Sequence, residues 1–232
     1  DMDEAVAETS AIAGRTGGTL RINTLGMAAR QIIAPRLGRF HRAHPGVILD
    51  IVVDDALSDI VAGRFDAGIR VGARLEKDMI AVRLTPDVRM IAVASPDYLA
   101  RTGIPRSPAD LDGHACINWR LQSDGRVYRW EFEKKGKRLE VAAEGPLITN
   151  QSDIGAAAAL QGLGILYAFD CERVDEDLAQ GRLMQVLADW SITRPGLYLY
   201  YSNRRHPQAA LAAFIDCLLD RDLPVSKRGP KA

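Results

Sequence analysis

The stretch Leu20-Arg21-Ile22-Asn23-Thr24-Leu25-Gly26-Met27-Ala28-Ala29-Arg30 decides how the rest of the chain is read. Leu20, Ile22 and Thr24 alternate with Arg21 and Asn23, the period of a strand with one face better buried than the other. Gly26 breaks that strand, and Met27 to Gln31 is a good helix-forming run. A strand that feeds a helix N-terminus leaves backbone N–H groups pointing outward. With the Thr24 hydroxyl beside them, these donors make a seat for a small anion or polar ligand. A second stretch, Thr149-Asn150-Gln151-Ser152-Asp153-Ile154-Gly155-Ala156-Ala157, repeats the arrangement. Two such seats facing each other describe a ligand-binding module.

The pattern on either side fits an α/β chain. Ile32, Ile33, Leu37 and Phe40 recur near helical spacing between Met27 and His44, with a kink expected at Pro35 and a stop at Pro45-Gly46. Val47 to Val53 is a nearly continuous apolar run, the look of a parallel strand covered on both faces. A short helix over Leu57–Gly63 and a strand over Ala67–Val71 complete a β-α-β-α-β order, the signature of a doubly wound sheet. Strands follow at Met79–Leu84 and Arg89–Ala94. Ser95 then reads as an N-cap with Pro96 in the first helical position. Ile104 to Gly113 reads as a loop. Cys116–Trp119, Val127–Glu133 and Leu139–Ala143 read as strands, the last two joined by the basic tip Lys134-Lys135-Gly136-Lys137. Asp153–Gln161, Val174–Gln180 and Pro207–Leu219 read as helices, and Gly164–Ala168, Leu183–Val186 and Leu197–Tyr201 as strands. Asp1 to Ala13 has the composition of a linker helix joined through Gly17-Gly18, and residues 224–232 read as a disordered tail.

Bulk properties exclude several classes. Lys+Arg number 30 and Asp+Glu 30, so the chain lacks the basic excess of a module built to grip phosphate backbones. No apolar run approaches the roughly 18 residues of a membrane span. Cys116, Cys171 and Cys217 are widely spaced and odd in number, which fits reduced thiols in a cytoplasmic protein. The chain holds no G-x-S-x-G, G-x-G-x-x-G, P-loop or H-E-x-x-H motif, so no enzyme is expected. His41 and His44 lack a third ligand, so no metal and no cofactor are expected either.

Several local strings, in order and spacing, resemble the effector-binding domain of LysR-type transcriptional regulators. They are Gly18-Thr19-Leu20-Arg21-Ile22, Ile33-Ala34-Pro35-Arg36-Leu37, His44-Pro45, and Phe65-Asp66-Ala67-Gly68-Ile69-Arg70-Val71-Gly72. Ala94-Ser95-Pro96-Asp97-Tyr98-Leu99, Pro108-Ala109-Asp110-Leu111, Ala157 through Ile165, and Gly181-Arg182-Leu183 follow. The resemblance covers about residues 18 to 222. It implies two Rossmann-like α/β subdomains joined by two crossover hinges, as in type 2 periplasmic binding proteins. The expected division is a linker-helix end at 1–17, subdomain I at 18–92 plus 198–223, and subdomain II at 93–197, with hinges near Ile91–Ser95 and Ser191–Leu199. A small-molecule effector would lie in the cleft between them. The resemblance further implies a homodimer, a tetramer in the full-length protein, and DNA reached only through an N-terminal winged helix-turn-helix outside these residues.

By the same resemblance Thr24, Leu25 and Gly26 occupy the ligand loop, and Asn150, Gln151, Ser152 and Asp153 the opposing helix start. Ser152 or Asp153 reads equally well as a plain N-cap. Arg70 reads either as a carboxylate clamp or as the partner of a neighbouring acid, and Arg120 is a second candidate clamp. Tyr167 and Phe169 stand where an aromatic wall would be, in a string that lacks the family's usual proline. A carboxylate is one effector class that fits, while Asp153 leaves room for an amine, polyol or amphoteric compound. The alternative is a transport solute-binding protein of the same architecture, against which the helical start at Asp1–Ala13 argues.

Overall fold

The computed structural model describes residues 17–54, 63–72, 78–170, 172–203 and 208–220. The expected linker helix, the helix at Leu57–Gly63 up to residue 62, Cys171 and the tail lie outside these residues. In chain order the strands and regular helices are β1 (Gly17–Thr24), α1 (Leu37–Ala43), β2 (Gly46–Val53), β3 (Ala67–Val71), β4 (Met79–Arg83), β5 (Val88–Ala94) and α2 (Pro96–Thr102). Then come β6 (Cys116–Trp119), β7 (Trp130–Lys134), β8 (Lys137–Val141), β9 (Leu147–Thr149), α3 (Ser152–Leu160), β10 (Ile165–Phe169) and α4 (Glu172–Ala179). The chain closes through β11 (Met184–Val186), β12 (Ile192–Arg194), β13 (Leu197–Ser202) and α5 (Ala209–Leu218).

The chain divides into two compact units, one of residues 1–85 with 197–232, the other of 86–196. The expected hinge at Ile91–Ser95 therefore moves upstream. Strand β5 cannot hold a joint, because it pairs antiparallel with β10, β11 and β12 and buries Ile91 and Val93. The first crossing falls instead between Thr85 and Pro86, and the return lies between Gly196 and Leu197, inside the second expected range.

The first unit carries a five-stranded sheet in the order β2-β1-β3-β13-β4. β1 runs parallel to β2 and β3, while β13 returns antiparallel between β3 and β4. Gly17 and Gly18, expected as a flexible joint, are the first two residues of β1, opposite Gly46 and Val47. The ladder continues through them, and Gly18 takes a φ of +103° that a side chain would resist. The apolar run at Val47–Val53 does form a parallel strand, but an edge one, and Ile48 is 65% exposed. The helical segment after Gly26 is irregular: one α-turn (Gly26–Ala28), a π stretch (Ala29–Ile33), a 3-10 turn (Ala34–Arg36), then α1. Pro35, with no N–H to give, is the middle residue of the 3-10 turn that separates the π stretch from α1. The segment buries Ile32, Ile33 and Phe40 against β1, β3 and α5, with the Phe40 and Phe214 rings edge to face at 5.4 Å.

The second unit carries the sheet β11-β5-β10-β6-β9, with β12 continuing alongside β5. Its strands keep a strict two-residue alternation. Met90, Ala92, Cys116, Ile165 and Tyr167 enter one core, and Ile91, Val93, Ile117 and Leu166 enter the other under α3. The first core is closed by the antiparallel ribbon β7-β8, which delivers Trp130 and Phe132. Each of these rings, fully buried, contributes about 2–3 kcal/mol of transfer free energy. Two glycines sit where backbones touch. A Cβ at Gly145 would lie 2.0 Å from the Cys116 carbonyl oxygen, and one at Gly164 would lie 2.3 Å from that of Ala115. Ser95 caps α2 as expected, accepting from the Tyr98 N–H at 3.3 Å. The segment expected as a loop before β6 contains a 3-10 helix (Pro108–Gly113), held by Asp110, whose carboxylate accepts the N–H groups of Arg106 and Ser107.

Candidate functional site

In the first unit, the candidate seat begins at the C-terminal end of β1. Asn23 and Thr24 are both buried, Thr24 completely. β1 lies between β2 and β3, so no side of its end opens at a sheet edge. The Thr24 hydroxyl donates to the Leu25 carbonyl at 3.3 Å, and its own carbonyl accepts from the Asp54 N–H at 3.0 Å. Leu25 is half-buried and caps the helical segment from an extended conformation without a side-chain bond. Gly26 is buried, and the Arg30 guanidinium lies 3.4 Å from where a Cβ at Gly26 would stand. Arg70, on β3, donates to the Ile69 carbonyl at 2.8 Å and to the Asn23 side-chain oxygen. Arg70 thus meets a neutral amide in β1. Asn23 and Arg30 were not among the expected site residues. An amide side chain next to Thr24 at the end of the first strand is the signal that points to Asn23. Asp66 is structural, its carboxylate accepting the Arg21 N–H at 2.7 Å.

In the second unit the corresponding seat is open. β9 is an edge strand, and the chain leaves it through Asn150 into α3. The N-cap is Gln151, in an extended conformation with no side-chain cap bond, so neither Ser152 nor Asp153 takes that role. Both stand in the first turn, where the Asp153 carboxylate complements the helix dipole. The entry is pinned by Thr149, whose hydroxyl accepts the Gln151 N–H at 3.0 Å. Gln151 and Ser152 are exposed, Asn150 and Asp153 half-buried. Arg120 joins this group through its backbone, its N–H donating to the Thr149 carbonyl at 2.9 Å. Its side chain is turned to the Gly125 carbonyl at 2.8 Å.

Tyr167 and Phe169 lie apart from that seat, on the ribbon-covered face of β10. Tyr167 is 6% exposed and stacks on Trp130 at 5.1 Å and on Tyr128 at 6.4 Å between ring centroids. Its hydroxyl donates to the Glu131 carbonyl, and burial pushes its pKa upward. It is a core residue with a satisfied polar tip. Cys116 is a core residue too, and burial pushes its thiol up to about 12, which leaves it unreactive at neutral pH. Among the described residues no group of three or more His, Cys, Asp or Glu side chains could hold a metal ion. Among the same residues no helix is long and apolar enough to cross a membrane.

Each of the two strand-to-helix junctions carries amide, hydroxyl and guanidinium groups beside the start of a helical segment. The family model for the LysR substrate binding domain matches residues 13–222. The HTH-type transcriptional regulator PgrR of Escherichia coli is 38% identical over 218 residues, covering 94% of this chain and 73% of that protein. A putative transcriptional regulator of Pseudomonas aeruginosa is 41% identical, covering 94% of this chain and 71% of its own length. Among solved structures, CrgA, a LysR-type transcriptional regulator from Neisseria meningitidis, superposes with a TM-score of 0.77 at 25% identity, over 95% of this chain and 74% of that one. The fold is that of LysR-type regulatory domains, type 2 periplasmic-binding-protein-like, and the chain belongs to the LysR substrate-binding-domain family, the regulatory domain of LysR-type transcriptional regulators.

Proposed function

We propose that this domain senses a small metabolite on behalf of a longer DNA-binding regulator in the cytoplasm, and that the effector bridges the two units. The observation that carries the reading is the pair of strand-to-helix junctions, one per unit, in a family whose members regulate transcription. From the first unit, the half-buried Leu25 and Arg70 supply one wall, over the sealed Thr24 and Gly26. From the second, Asn150, Gln151, Ser152, Asp153 and Arg120 supply the polar contacts. Tyr167 and Phe169 support that half from behind, by packing rather than by touching the effector. The first turn of α3 offers N–H donors to an effector carboxylate, and Asp153 beside it suits an amine on the same molecule, so an amphoteric or carboxylate effector fits best. Effector binding would act as a population shift, favouring the arrangement of units it contacts best. The readout would pass to DNA through an N-terminal winged helix-turn-helix in a protein that pairs as a homodimer and assembles as a tetramer at full length.

The test is a thermal-shift screen against carboxylates, amino acids and sugars. A ligand at about 100 times its dissociation constant stabilises by roughly 2.7 kcal/mol, a readable shift. Ser152→Ala and Arg120→Ala should abolish the shift given by a hit without altering the melting of the free domain. A hit whose shift survives both substitutions would remove the α3 junction from the site.

A further inference from the structure

The return strand β12 is three residues long and, among the described residues, pairs only with β5, Arg194 lying opposite Val88. Three residues later the chain is already held in the first unit. There the Leu197 N–H donates to the Thr85 hydroxyl at 2.8 Å, and its carbonyl accepts the Leu84 N–H at 2.8 Å. Between these anchors stand Pro195, with no N–H, and Gly196, with no side chain. Arg194 is thus the last side chain of the second unit to fix the link.

Its guanidinium pairs with the Glu131 carboxylate and reaches the Tyr128 hydroxyl at 3.4 Å. The Tyr128 hydroxyl in turn donates to Glu131 Oε1 at 2.8 Å, and the Glu131 carbonyl accepts the Tyr167 hydroxyl. Glu131 therefore gathers the return link, the ribbon and β10 on one residue. The ribbon β7-β8 is a two-stranded sheet of its own, entered through a backbone bond from the Tyr128 N–H to the Trp119 carbonyl at 2.8 Å, and Lys134–Asp189 adds a second ion pair at 3.2 Å. The Arg194 and Glu131 side chains are only about a quarter exposed, at 27% and 26%, a setting in which a charge pair is weakly screened. A surface ion pair would add little here. This one holds the last residue of β12 to the ribbon, three residues before the first unit resumes at Leu197.

We propose that the Arg194–Glu131–Tyr128 cluster is a conformational latch. It ties the return link to the aromatic core of the second unit and narrows the range of arrangements the two units sample. The latch bears on how an effector signal would be transmitted, but it is tested without any effector, so its failure and that of the sensing role are separable.

The experiment places a dye pair on non-canonical residues at His41 and Ala100, both exposed and one in each unit, in the ligand-free chain, and reads single-molecule energy transfer. Glu131→Gln and Arg194→Gln should each broaden the distance distribution, and the double variant should be no broader than the singles, since they break the same tie. Amide-exchange protection at Ile22 and Ile165 should persist, showing that both cores remain folded. Distributions as narrow as wild type, with both cores protected, would overturn the latch. Should Arg194→Gln unfold the second unit, Arg194→Lys keeps the charge and loses the planar fork. An intermediate width would then support the latch and a wild-type width would overturn it.

Discussion

The two strand-to-helix junctions look alike in sequence and end in opposite environments. At the end of β1, Asn23 and Thr24 are sealed, with Arg70 and backbone groups as partners. At the end of β9, Gln151 and Ser152 are exposed, and the Thr149 hydroxyl holds the helix entry by accepting the Gln151 N–H. The cause is strand position: β1 has a neighbour on each side, and β9 has one only on the β6 side. The same local device thus becomes a rigid support in one unit and an accessible polar surface in the other. The cores differ in kind as well. The first unit packs mainly aliphatic side chains with one Phe–Phe contact, the second a four-ring aromatic cluster under a ribbon.

The most severe challenge to this contrast is Gly145→Ala. Its Cβ would meet backbone atoms of Cys116, not a flexible side chain, so β6 must move, at a cost of about 3 kcal/mol. Hydrogen exchange should show Ile117 and Leu166 losing protection while Leu20 and Ile22 keep theirs. Equal losses in both would show that the units do not behave as separate cooperative bodies.

Asp177→Ala comes next. Asp177 is buried near the end of α4, its carboxylate accepting from Arg182 Nε at 2.8 Å, while its carbonyl accepts the Arg182 and Leu183 N–H groups. Removing the carboxylate should cost about 2 kcal/mol in urea unfolding, since a charged hydrogen bond in a buried turn is lost. A cost below half of that would make the turn backbone-determined.

The third test sets the junctions directly against each other. Thr24→Val keeps the volume and removes a buried hydroxyl, and should cost about 1 kcal/mol. Ser152→Ala, on the open junction, should change stability by less than about 0.5 kcal/mol while weakening effector binding. The reverse order would mean that the open junction, not the sealed one, is the structural support.

The smallest effect is expected at Asp175. A hydrogen bond shared with Asp170, together with partial burial, pushes its carboxyl up to about 6. The folded state therefore holds this proton more tightly than the unfolded chain, whose carboxyl titrates near 3.9. Stability from this group is present at low pH and falls as pH rises through about 6. Asp175→Asn should accordingly raise the melting temperature slightly at pH 7.5 and leave it unchanged at pH 4.

Much of the fold was legible because it rests on local rules. The alternation at Leu20–Thr24, the Ser95–Pro96 cap and the Pro35 irregularity all appear where periodicity, capping and the missing N–H place them. Short elements were less legible. β9 and β12 have three residues each, too few for a period to register, and their pairing depends on partners far along the chain. The apolar run at Val47–Val53 suggested a strand covered on both faces, yet of β2 only Val47 is fully buried while Ile48 and Val53 stand exposed, since hydrophobicity alone does not say what packs over a strand. Tyr167 looked like part of a binding wall because an aromatic residue after a buried strand suits either a wall or a core. The ribbon that covers it is folded in from residues 130–141.

By itself the sequence determined the order of the longer strands and helices, the two junctions and the family strings, because these depend on spacing, turn residues and propensity within a few positions. Tertiary structure alone decided which junction is sealed, where the chain changes unit, and that Glu131 meets Arg194 across sixty-three residues. These are long-range outcomes, set by which strands become neighbours and which side chains are thereby removed from water.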